Sequence, residues 1–168
     1  MILKSFELNK LKQNNHNFYL FYGDNEGLKE ETIKNLFEKN YQNKIHRYEE
    51  KEILDNVSNF FNSVLTKSFF DIKKLIIINR VTYKIRETIE ELIEKNPEDI
   101  NIILISKNLE KKSALRKFFE KEKTIICVPF YEDNNQTLNS IINTFIRNKK
   151  IPISQQLINV LIERSRGD

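Results

Sequence analysis

The sequence predicts a three-layer α/β domain built on a five-stranded parallel sheet, followed by two helices. Three observations carry that expectation. Short, almost wholly apolar runs such as KLIIIN (74–79) and INIILIS (100–106) have the composition of strands buried on both faces. These runs alternate with segments of helical apolar periodicity, the pattern of a parallel sheet covered by helices. After about residue 131 the apolar runs stop and only helical spacing continues.

The elements follow in chain order. Residues 3–12 read as a short first helix, and NFYLFY (17–22) as an aromatic strand ending at Gly23. Residues 27–39 read as a helix with Ile33, Leu36 and Phe37 on one face, and 44–49 as a more polar strand nearer an edge. Residues 51–65 read as one amphipathic helix, with Ile53, Leu54, Val57, Phe60, Phe61, Val64 and Leu65 at i, i+3/i+4, i+7 spacing. After the strand 74–79, the helix 83–95 turns Ile85, Ile89, Leu92 and Ile93 inward. The strand 100–106 is followed by a helix over 110–121 carrying Leu115, Phe118 and Phe119, then by a last strand, 123–129. Beyond it, 134–147 repeats Leu138, Ile141, Ile142, Phe145 and Ile146 at helical spacing. Pro152 then interrupts, and Ser154 is placed to cap a second helix, 155–165. With only three glycines and three prolines, the chain has few punctuation points and little loop.

Composition excludes several classes. Hydrophobic residues at 39% and charged residues at 31% describe a folded, soluble chain rather than a disordered one. The lone Cys127 cannot form an internal disulfide, and with two separated histidines, His16 and His46, it makes no zinc set. No apolar run approaches the roughly 20 residues that span a bilayer. Lys4, Glu7 and Lys10 break up any signal-peptide core, so a cytoplasmic protein without membrane contact is expected. The 28 Lys and Arg against 24 Asp and Glu leave a net charge of +4, which permits nucleic-acid contact without arguing for it. Lys111, Lys112, Arg116 and Lys117 read as a basic helix face, a solvated surface more than a DNA contact.

The loop after the first strand is where a phosphate-binding loop would lie. Such a loop reads G-x-x-x-x-G-K-[ST]: backbone N–H groups cradle phosphate, the lysine neutralises it, and the hydroxyl holds magnesium. Here the segment is Gly23-Asp24-Asn25-Glu26-Gly27-Leu28-Lys29-Glu30. Lys29 lies at the right distance from Gly23, but Leu28 stands where the second glycine belongs and Glu30 where the hydroxyl belongs. Asp24 and Glu26 would repel a triphosphate. The strand that should end in a metal-binding carboxylate ends Ile78-Asn79-Arg80 instead. The expectation is a strand–loop–helix turn in which Gly23, Gly27, Lys29 and Glu30 bind no nucleotide, and a chain with no cofactor and no metal.

Ser68-Phe69-Phe70 stands between the helix 51–65 and the strand at Lys74. Adjacent phenylalanines diverge by about 100° on a helix and about 180° on a strand, so they cannot share one core. Composition alone favours a cover for the sheet edge. A hydrophobic plug for a partner's pocket is the alternative.

The ordered set resembles a known family. The degenerate Gly-Asp loop after NFYLFY, the element SFFDIKKLIIINR, then NIILISKNLEKKSALRKFFE, TIICVPF and a terminal helix ending in RGD together look like the delta subunit of the bacterial DNA polymerase III clamp loader. The resemblance implies an AAA+-like α/β domain over 1–131 and the start of a small helical lid domain over 132–168, with the C-terminal collar domain absent. It implies a non-ATPase subunit that binds the sliding clamp (beta) and helps open its ring for loading onto primed DNA. Phe69 and Phe70, with Ser68 beside them, match the family's hydrophobic pair that enters a clamp pocket; the first position is often Leu there. Ser106-Lys107-Asn108 departs from the sensor and arginine-finger pattern of the ATPase subunits, so no catalytic role is carried onto it. Further implied partners are the gamma/tau and delta prime subunits, with DNA reached through the assembled loader. Nucleotidyltransferase activity would belong to the DNA-directed DNA polymerase holoenzyme, in the nucleoid-associated replisome. The competing expectations are a P-loop ATPase or nucleotide kinase with an atypical loop, and a basic nucleic-acid-binding module.

Overall fold

The computed structural model describes residues 1–4, 7–8, 16–39, 41–66, 73–97 and 99–165. Five apolar segments form strands: β1 (Phe18–Tyr22), β2 (Ile45–Glu49), β3 (Lys74–Asn79), β4 (Ile100–Ser106) and β5 (Ile126–Pro129). All are parallel, in the order β2-β3-β4-β1-β5. The three inner strands are almost wholly buried, whereas the edge strand β2 is half-buried, with Arg47 exposed. That difference explains why β2 alone reads as polar in sequence.

The strand order dictates the layers. From β1 the chain runs to the far edge at β2, then returns through β3 to β4, and finally crosses β1 to reach β5. Right-handed crossovers in opposite directions put their helices on opposite faces. Accordingly α1 (Glu26–Ile33) packs Ile33 against Tyr19, Phe21, Ile77 and Ile103 on one face. On the other, α2 (Glu50–Asp55), α3 (Val57–Leu65), α4 (Arg86–Glu94) and α5 (Ala114–Lys121) bury Ile53, Phe60, Val64, Ile89, Leu92, Leu115 and Phe119 against Leu20, Ile76, Ile78 and Leu104. Each fully buried aliphatic or aromatic side chain contributes about 1.5–3 kcal/mol, so the two faces supply the main stabilising term.

Several expected boundaries move. The single helix 51–65 is two helices, broken at Asn56 (φ −151°), whose side chain accepts from Asn59 N at 3.0 Å and starts α3. The helix expected over 110–121 begins only at Ala114, and that over 83–95 opens with a 3-10 turn, Tyr83–Ile85. α1 continues as a π-helical turn, Lys34–Glu38, tied by the Arg47–Glu38 ion pair. Of the expected helix 3–12, residues 5, 6 and 9–12 lie outside the described residues, and Leu3 is not helical: its N–H donates to Cys127 O at 3.0 Å, alongside β5.

Burial also sets two titrations. The Cys127 thiol, inside β5, and the Tyr19 phenol are each pushed up to about 12 by desolvation. Tyr19 Oη donates to His16 O at 2.6 Å.

The chain divides into two compact units, Met1–Phe130 and Tyr131–Asp168. The second holds α6 (Asn135–Lys149) and α7 (Gln155–Ser165). Asn134 and Thr137 form a capping box for α6, and Ser154 Oγ accepts from Leu157 N at 3.3 Å to start α7. Among the described residues no helix is long and apolar enough to cross a membrane.

Candidate functional site

In open α/β sheets, ligands bind where neighbouring strands send their connections to opposite faces, at the carboxyl ends. β1 and β4 are such neighbours, and the segment 23–30 folds at their ends. Gly23 has φ +125°, and a Cβ placed there would lie 2.0 Å from Phe130 O. The turn therefore needs glycine for both conformation and space. Gly27 is different: nothing lies within 4 Å of a Cβ built on it.

The groups that would cradle a phosphate are occupied by the chain itself. Gly23 N donates to Lys107 O, Asn25 N to Phe130 O, Glu26 N to Asp24 O and Lys29 N to Asn25 O. Leu28 N donates to the Asn25 side chain at 3.0 Å. Lys29 is 1% exposed and points inward. Its ammonium donates to Gly23 O at 2.8 Å and Ser106 O at 2.9 Å, and pairs with Glu26 Oε1 at 2.9 Å. An ammonium has three N–H groups, so these acceptors use all of them. Lys29 thus stitches the ends of β1 and β4 together. Glu30, in the place of the magnesium hydroxyl, is exposed.

The adjoining strand ends are held by groups that periodicity does not mark. Glu50, 8% exposed, accepts from Thr82 N at 2.6 Å and from Thr82 Oγ1, fixing the chain after β3. Ser106 Oγ donates to Val81 O at 2.7 Å. Arg116 leaves the expected basic face: its guanidinium lies 4.9 Å from the Tyr22 ring centre, donates to Leu109 O at 3.0 Å and pairs with Glu120 at 2.7 Å. Lys111 and Lys112 precede α5 rather than lying on it, and Lys112 pairs with Glu110. The four cations therefore do not form one helix face. Between the loops after β3 and β4 is an open cavity of about 720 Å³, with Val81, Tyr83, Lys107, Leu109 and Lys112 in its wall. Among the described residues no cluster of His, Cys, Asp and Glu could hold a metal ion.

Ser68, Phe69 and Phe70 lie outside the described residues. The described residues flanking them are Thr66, which ends α3, and Lys73, which precedes β3.

A five-stranded parallel sheet of this order, with a glycine turn and helix after the first strand, places the first unit in the AAA+-like class of α/β domains. Residues 19–128, well over half the chain, match the family described as DNA polymerase III, delta subunit, and the chain belongs to that family. Its fold is similar to that of the Bacillus subtilis DNA clamp loader delta protein (YqeN), with a TM-score of 0.66 and 16% identity over 94% of this chain and 51% of that one. The chain thus spans about half the length of that protein. No curated protein matches it by sequence.

Proposed function

We propose that this chain is the clamp-binding part of a clamp-loader delta subunit: it binds a ring-shaped sliding clamp and favours the open ring, without hydrolysing ATP. The observation that carries this reading is the delta-subunit family match over residues 19–128. The division at Phe130/Tyr131 is compatible with an AAA+-like domain over 1–131 followed by lid helices over 132–168.

The mechanism is mechanical. Phe69 and Phe70, next to Ser68, enter an apolar pocket on the clamp. Burying two phenylalanines is worth roughly 3–6 kcal/mol, enough for an anchor. Surrounding contacts fit a distorted clamp surface better than the closed one, and that difference in affinity shifts the ring toward open. ATP is used by other loader subunits, of the gamma/tau type, and DNA is met through the assembled loader with delta prime. Nucleotide transfer belongs to the polymerase complex. The saturated Lys29 ammonium and the occupied loop amides support the absence of ATP chemistry in Gly23–Glu30.

The test is binding of the full chain to the sliding clamp of the same organism, beside a Phe69→Ala/Phe70→Ala variant, with ATP titrated separately. Clamp binding by the wild type, lost in a folded double variant, is the expected result. A folded wild-type chain that ignores the clamp, or binds ATP at micromolar concentration, overturns the reading.

A further inference from the structure

Between the loops after β3 and β4, the open cavity of about 720 Å³ has the volume of a ligand site. Val81, Tyr83, Leu109 and Ala114 make much of its wall apolar. Tyr83 leaves 63% of its surface exposed there. The wall is held before any ligand arrives. Val81 N donates to Ile105 O at 2.9 Å, and Val81 O accepts from Ser106 Oγ at 2.7 Å. Glu50 holds Thr82, Arg116 Nη1 donates to Leu109 O at 3.0 Å, and Ser113 N donates to Glu110 O at 2.9 Å. A cavity fixed in this way has little left to order on binding.

The polar part of the wall favours an anion. One side is the start of α5, whose ladder opens with Lys117 N on Ser113 O, so the N–H groups of Ala114 and Leu115 have no intrahelical acceptor. Ser113 stands at the N-cap position but makes no cap bond to them. Its Oγ is buried and has no hydrogen-bond partner among the described residues. A buried hydroxyl without a partner is costly, and a ligand carboxylate would satisfy it together with the amides of the helix start. Arg80, Lys107 and Lys112 also line the cavity, against the carboxylate of Glu110. Arg80 and Lys112 have side chains 85% and 81% exposed. Their pairs with Glu49 and Glu110 are surface pairs of little worth, so both cations can change partner.

We infer that this cavity docks an acidic peptide segment of a partner protein. One bulky apolar side chain of the segment enters between Val81, Tyr83 and Leu109. A neighbouring carboxylate takes the Ser113 hydroxyl and the first amides of α5, and others meet Arg80, Lys107 and Lys112. The open mouth of the cavity selects a peptide over a small molecule, which would stay largely in water there. The apolar wall and the Glu110 carboxylate argue against a nucleic-acid strand, which needs a run of cations along its phosphates. The inference is independent of the clamp reading.

The experiment selects short random peptides, displayed on phage, against the immobilised full chain, and measures the enriched peptides by fluorescence anisotropy. Enriched sequences are expected to set Asp or Glu beside Phe, Leu, Met or Trp. Lys107→Glu/Lys112→Glu, a change of exposed side chains, is expected to weaken them roughly tenfold and to flatten their salt dependence. Tyr83→Ala and Ser113→Ala are each expected to weaken them about threefold or more, with the melting temperature of Ser113→Ala unchanged because its hydroxyl makes no cap bond. No enrichment over a bare surface overturns the inference, as do enriched peptides without acidic residues. Peptides that bind the wild type and all three variants equally overturn it as well. Binding that follows the charge reversal alone, unmoved by Tyr83→Ala and Ser113→Ala, is general attraction between charges and has the same consequence. A labelled single-stranded oligonucleotide is the competing probe. If it binds more tightly than the peptides and is lost in Lys107→Glu/Lys112→Glu, the site takes nucleic acid and the peptide assignment falls.

Discussion

Two lysines at opposite ends of one sheet perform the same chemistry with different consequences. At the carboxyl end, Lys29 gives its ammonium to Gly23 O, Ser106 O and Glu26, and is 1% exposed. At the amino end, Lys74 gives its ammonium to the last carbonyls of α3 and is half-buried. Lys29 fills space in the crevice at the carboxyl ends of β1 and β4 and gives its whole donor set to the chain's own oxygens. Lys74 fills nothing. It joins the last turn of α3 to the first residue of β3. An ammonium that takes up carbonyls can fill a crevice or cap a helix, and what decides is where those carbonyls lie.

The largest expected effect breaks the carboxyl end. Gly23→Ala must place a Cβ 2.0 Å from Phe130 O at φ +125°. A backbone clash at a left-handed position is among the few mechanisms that cost more than about 3 kcal/mol, so the variant should melt far below wild type or fail to fold. A near-normal denaturant midpoint would show that the turn is not locked by Phe130.

Lys29→Met comes next. It preserves bulk but leaves Gly23 O and Ser106 O without their donor. Each unsatisfied buried acceptor costs about 1–3 kcal/mol, partly offset because no ammonium is buried, so a net loss of about 2 kcal/mol is expected in urea unfolding. The contact with Glu26, whose side chain is 55% exposed, adds little to that figure. ATP affinity supplies the sharper readout. If the wild type binds ATP and Lys29→Met does not, the lysine serves a ligand, and the contrast with Lys74 collapses.

These lysines also mark the limit of what the sequence discloses. The strands are legible because runs such as KLIIIN and INIILIS are apolar without alternation, which only a doubly covered sheet explains. The order β2-β3-β4-β1-β5 is not written in any such run, because an apolar strand carries no mark of which neighbour it pairs with. The break at Asn56 is hidden because Ile53, Phe60, Phe61 and Val64 keep one apolar stripe across it. The available signal was Asn56 itself, an N-cap residue type three residues before Asn59. Ser113 stands at the N-cap position of α5 and could likewise have moved that helix start from 110 to 114. Spacing places Lys29 correctly from Gly23, but spacing is silent on whether a lysine points out to phosphate or in to carbonyls. Glu50 and Lys74 act on partners 32 and 8 to 11 residues away in other elements, and Arg116 reaches back to Leu109 O outside its own helix, contacts that periodicity within one element does not disclose.

The smallest effect tests the comparison from inside the loop. Gly27 lies in the first turn of α1, and nothing stands within 4 Å of an added Cβ. Alanine there lowers the entropy of the unfolded chain and suits the helix better. Gly27→Ala is therefore expected to raise stability by a few tenths of a kcal/mol, up to about 1, read as a higher urea midpoint at unchanged slope. A working phosphate loop needs a glycine at its second position so that backbone can approach the ligand, and there the same change would cost binding while sparing the fold. Gain of stability with unaltered clamp binding places Gly27 with Lys29, as part of a loop retained for its packing. Loss of any ligand affinity in Gly27→Ala would instead return a binding role to the carboxyl end of the sheet.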